Sequence, residues 1–236
     1  MNETLEHPAE RRPEATGTDD FSGLEHGAER DPTVLILACG ALVRELRAVL
    51  DQEGIADLVE VGYLPAPLHN HPERIVPEIE ARLAHVDPSR PVFLGYADCG
   101  TGGMLDALIE RSEHQITRLP GAHCYEFFAG PARFAALHEQ ELGTFYLTDF
   151  LAKHFTALIW QGLGIDRHPE LRDMYFANYR RVMLLAQDAD PAVVEAGRAA
   201  ADLLGLEFAH EPTGLEPFAR PIRVSLSETI ARTVIS

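Results

Sequence analysis

Short apolar runs alternate with helically spaced segments along most of this chain. Thr33–Ala38, Leu58–Tyr63, Val92–Tyr96, Gln115–Leu119, Val182–Ala186 and Leu206–Ala209 read as strands. Between them, Ala41–Gln52 repeats Leu42, Leu46, Val49 and Leu50 on one face. Pro72 opens a second helical stretch, reaching about Val86, with Ile75, Ile79 and Leu83 on one side. Met104–Glu110, Pro131–Glu141, Leu171–Arg181 and Pro191–Leu204 are also helical, and Thr148 caps a helix running to Trp160. Such alternation demands an α/β fold, a mostly parallel sheet with helices on both faces. The stretch 131–181 reads as a helical insertion, a lid over that sheet. Residues 1–31 hold nine acidic and three basic side chains without periodicity, so they are expected to be a disordered leader. The α/β domain then covers 32–212, and 213–236 is a tail of unassigned structure.

Composition removes several function classes. The net charge is −17, the wrong sign for a phosphate backbone or an anionic membrane surface. The first residues lack the apolar core of a secretory signal, and an odd count of three cysteines argues for a reducing cytoplasm. Lys153 is the sole lysine and follows no glycine loop, so a Walker-type phosphate site is absent. None of the serines sits in a G-x-S-x-G elbow.

The cysteines carry the chemistry. Cys39 ends VLILAC, Cys99 follows VFLGYAD, and Cys124 follows ITRLPGAH. In a parallel sheet, the carboxyl ends of strands share one edge, where ligands bind. Three thiols there could hold Zn²⁺ or a [4Fe–4S] cluster, and thiolate ligation does not choose between them. His69 and His71 of HNHPE, with His123, are candidates for a further ligand or a proton shuttle.

Glu126, two residues after Cys124, is a candidate acid/base or substrate anchor. If the segment is extended, His123 and Cys124 point to opposite sides. Gly100, Gly102 and Gly103 leave room near the sulfurs and offer backbone N–H groups to a cofactor or an oxyanion. Asp98 could support a histidine ligand or close the glycine turn. Asp149 and Lys153 have the spacing of a helix ion pair, and Glu45 is expected at the surface.

Together, ILACGAL, HNHPE, GYADCGTGG, GAHCYEFFAG and GTFYLTDFLAKHF resemble the family known as domain of unknown function 1638, over residues 33 to 210. The resemblance implies a prokaryotic, cytoplasmic protein. Some family members are encoded near corrinoid-dependent methyltransferases, which makes a corrinoid or a methyltransferase protein a candidate partner. The expected protein is a metal-binding enzyme acting on a small molecule, a lyase/hydratase or a methyltransferase. Two alternatives stand beside it: a metal-free enzyme with a cysteine nucleophile, and a non-catalytic carrier of metal or corrinoid.

Overall fold

The computed structural model describes residues 24–25, 33–188 and 190–235, which form two sheets. The first contains β1 (Leu24–Glu25), β2 (Val34–Cys39), β3 (Val59–Leu64), β4 (Val92–Gly95) and β5 (Ile116–Arg118), in the order β1-β3-β2-β4-β5. The pairings among β2 to β5 are parallel, and β1 runs antiparallel to β3. The second contains β6 (Thr144–Thr148), β7 (Arg181–Ala186) and β8 (Glu207–Pro212), parallel and in that order. The helices are α1 (Val43–Gln52), α2 (Ile75–Leu83), α3 (Met104–Arg111), α4 (Cys124–Ala129), α5 (Pro131–Gln140), α6 (Asp149–Lys153), α7 (Glu170–Phe176), α8 (Pro191–Leu204) and α9 (Glu216–Ile235). A π-helical turn, Thr156–Gln161, follows α6.

The pleat explains how a strand can be apolar on both sides. Val34, Ile36 and Ala38 of β2 enter one core, while Leu35 and Leu37 enter another with α2 and α3. The first of these cores lies between the sheets. It joins β2 and β3 to Tyr146, Met183 and Leu185 of the second sheet, and it takes in Leu46 of α1, Phe128 of α4 and Phe218 of α9. A third core covers the far side of the second sheet with α6 to α8.

The α/β class and its parallel pairing are as the alternation requires, but the boundaries differ. The stretch 131–181 is not a helical insertion throughout, because it contains β6, which joins β7 and β8 in a sheet of their own. Residues Thr144–Thr148 run straight into α6, and a short apolar run next to a helix has no separate period to reveal it. The tail at 213–236 is largely helix α9, with Phe218, Ala219, Ile222 and Leu226 buried. The disorder expected over 1–31 lies outside the described residues, apart from Leu24–Glu25.

Candidate functional site

The first sheet changes winding direction between β2 and β4: the chain leaves β2 for β3 on one side and returns to β4 on the other. Their carboxyl ends therefore flank a crevice, the usual ligand position in open α/β sheets. Gly95 makes the approach possible, since a Cβ there would lie 2.7 Å from the Ala38 Cβ. A cavity of about 290 Å³ opens at this point. Cys39, Cys99, Cys124, His69, His123 and Gly100 all line it. Thr148 at the end of β6 and Leu151 of α6 close it from the other half of the fold, so the site lies between the first sheet and the β6–α6 junction.

Local backbone geometry brings the thiols together. After β4 the chain pairs with the β5–α4 loop: Asp98 N–H donates to the Gly121 carbonyl at 3.1 Å, and Cys99 N–H to the Ala122 carbonyl at 2.9 Å. Cys99 has φ +49°, the one non-glycine positive φ among the described residues. An L-residue pays for that conformation unless its surroundings impose it. Here the imposing contacts are the two backbone bonds to the neighbouring loop and the tight turn that follows. The Asp98 carboxylate builds that turn, accepting from the Thr101 hydroxyl at 2.8 Å, Gly102 N–H at 3.0 Å and Gly103 N–H at 2.8 Å. Burial opposes the charge on Asp98, but these donors, with Arg118 nearby, outweigh it and keep the carboxyl below its ordinary range.

The three thiols differ in character. The Cys99 sulfur faces the Cys124 thiol first and then the N–H groups of Ala97 and Cys124, all of which favour its thiolate. Despite burial, this draws the Cys99 thiol below its usual range. Cys124 is pushed well up, first by the Cys99 sulfur it faces and then by burial. Burial raises Cys39 to about 11, offset only in part by Ala41 N–H and the Tyr96 hydroxyl. That hydroxyl is buried, faces the Cys39 sulfur and closes no well-formed hydrogen bond. The His69 imidazole is held below its ordinary range by burial, which favours its neutral form.

Other expected site residues are placed differently. His71 is exposed and lies 3.4 Å from Glu73, away from the cavity. The HNHP loop is instead tied to the second half of the fold by the Asn70 amide, which donates to the Leu158 carbonyl. Cys124 begins helix α4 and His123 is its extended N-cap, so the two neighbours do not diverge as in a strand, and both reach the cavity. The same helix turns Glu126 away from the thiols, into a second pocket. Gly102 and Gly103 direct their N–H groups at Asp98, which leaves Gly100 as the glycine of that run on the cavity wall. Lys153 lies 3.8 Å from Asp190 and does not pair with Asp149, whose carboxylate accepts from the N–H groups of Gln187 and Asp188. Glu45 is 5% exposed, and its Oε2 has no hydrogen-bond partner. Tyr96 was not anticipated; its position one residue past β4 was the available signal.

Among the described residues, no three His, Cys, Asp or Glu side chains are already gathered as a metal-ligand set. No helix among them is long and apolar enough to cross a membrane. The model of a family described as a protein of unknown function, DUF1638, matches residues 63–221. No curated protein and no solved structure matches the chain.

Proposed function

Since the chain belongs to the DUF1638 family, whose description assigns no activity, we propose from its residues that it is a cytoplasmic, thiolate-ligated metal enzyme acting on a small molecule. The observation that carries this reading is the meeting of Cys39, Cys99 and Cys124 on one cavity from three separate segments: the end of β2, the turn after β4 and the start of α4. A single nucleophile needs one such thiol; a soft metal centre needs several.

The donor chemistry fits Zn²⁺ or an iron–sulfur cluster equally well. Neutral His69, together with His123, could provide a fourth donor or hold a proton at the substrate. Because the sulfurs are not yet gathered into a ligand set, binding would require side-chain rotations, with Tyr96 following Cys39. A metal held there would supply Lewis-acid activation of a water, thiol or substrate oxygen. Phe127, Phe128 and Leu42 keep water from most of the cavity wall. A hydratase or methyl-transfer reaction, with a corrinoid or methyltransferase protein as partner, belongs to this reading.

A second reading has an observation of its own. Cys99 combines an imposed positive φ with surroundings that favour its thiolate, as a metal-free nucleophile would. One experiment separates the two: anaerobic purification with a visible spectrum and metal quantification, beside a variant with all three cysteines changed to serine. Brown protein containing iron, or colourless protein with about one zinc per chain, supports the metal reading if the variant loses the metal. Wild-type protein that holds no metal after reconstitution sinks it and leaves Cys99 as the nucleophile.

A further inference from the structure

Phe127 forms a wall of two cavities. On one side is the cysteine site; on the other is a pocket of about 690 Å³ between the β5–α4 loop and α9. That volume is within the range of about 300–1,000 Å³ typical of small-molecule pockets. Its apolar lining is rigid: Pro120, Pro131, Pro217 and Pro221, with Phe127 and Val224. Val224, 54% exposed, adds an apolar side chain to the open side of the pocket.

The charges in this pocket are unevenly committed. Glu126 is folded back on its own loop, with Oε1 accepting from Ala122 N–H at 3.3 Å. Its other oxygen lies so close to Gly121 that a Cβ there would come within 2.5 Å of it. Glycine at 121, with φ +92°, therefore both permits the turn and makes space for the carboxylate. Glu216 is held by the Arg223 guanidinium. Both acids are thus engaged, whereas Arg220 lines the pocket with no ion pair or hydrogen bond among the described residues. An uncommitted guanidinium at the edge of an apolar pocket favours an anion with an apolar body.

We propose that this pocket is a binding site for a small amphipathic acid: Arg220 takes its carboxylate, and Phe127, the prolines and Val224 take its aliphatic or aromatic body. This site stands independently of what the thiols hold. The probe is hexanoate, titrated into isotope-labelled full-length protein while the amide signals of Gly121, Gly130 and Val224 are followed, with hexanol as the uncharged control. The expected result is a saturable shift of those signals by hexanoate. Affinity should be about tenfold weaker for hexanol and about tenfold weaker for hexanoate in Arg220→Ala, the loss of one charge-assisted contact. The Cys→Ser triple variant should bind hexanoate as the wild type does, so a negative metal assay leaves this result standing. Equal binding of hexanoate and hexanol, no effect of Arg220→Ala, or no saturable shift at these residues would each overturn the proposal.

Discussion

Cys99 N–H donates to the Ala122 carbonyl at 2.9 Å, and this bond sets the Cys99 thiol of one loop beside the first residue of α4, since Cys124 is two residues past Ala122. Together with the Asp98–Gly121 bond it forms a short backbone ladder outside either sheet. The site is thus assembled by main-chain bonding between loops on the rigid carboxyl edge of the strands.

The thiols should separate by reactivity in metal-free protein. Cys99, drawn below its usual range, carries more thiolate near neutral pH than Cys39, whose thiol is raised to about 11. With limiting iodoacetamide at pH 7 to 8, mass spectrometry should find Cys99 labelled first and Cys39 appreciably labelled only at more alkaline pH. Labelling of Cys39 ahead of Cys99 would contradict the environments described above.

Glu45 should make stability fall as pH rises. Its folded-state pKa is raised, chiefly by burial, with Asp149 adding to the effect. Between the ordinary value of 4.5 and that raised value, the folded state binds more protons than the unfolded state. The stabilisation is therefore complete at low pH and is lost as pH rises through the folded pKa. Glu45→Gln cannot ionise, so denaturant melts across pH should show it gaining on the wild type with increasing pH and converging with it below about pH 4. A constant gap at all pH values would count against this account.

Phe218 tests whether the C-terminal helix belongs to the core. Its side chain is fully buried and stacks on Phe128, with ring centres 5.0 Å apart. Phe218→Ala should cost about 3–5 kcal/mol in chemical denaturation, as expected for loss of a buried aromatic. A change under about 0.5 kcal/mol, the usual size for a surface substitution, would mean that α9 is not docked as described.

Gly95 should tolerate no larger side chain. A Cβ at this position would collide with Ala38, one residue before Cys39. Gly95→Val should destabilise the fold by about 1–3 kcal/mol, as overpacking does, and weaken metal retention by pushing β2 away from β4. Thermal melts together with metal stoichiometry check both effects.

Much of the first half was legible from pattern. The β2, β3 and β4 runs were recognisable because strands buried on both faces are continuously apolar, and Thr148 does cap α6, accepting from Leu151 N–H at 3.3 Å. Placing Cys39 and Cys99 at one edge followed from the parallel pairing. That His123 and Cys124 reach one cavity while Glu126 turns to another is hidden in the sequence, because a helix of six residues following Pro120 and Gly121 is too short to show a period. Glu45 was expected outside, since a carboxylate seldom sits in a core; only the packing of α1 against α6 and its neighbours encloses it.

Local sequence by itself determined the α/β class, the approximate extents of most strands, and the arrival of Cys39 at a strand end and of Cys99 in the turn after one, since periodicity and turn residues are properties of neighbours along the chain. Tertiary structure alone decided that the strands split into two sheets, that α9 packs against α4 and the first sheet, and that Cys99 and Cys124 approach through a loop ladder. It also decided that Glu126 and Arg220 face a separate pocket. Those outcomes depend on which distant surfaces bury one another and which backbone donors find distant acceptors, and neither is encoded in any short window of residues.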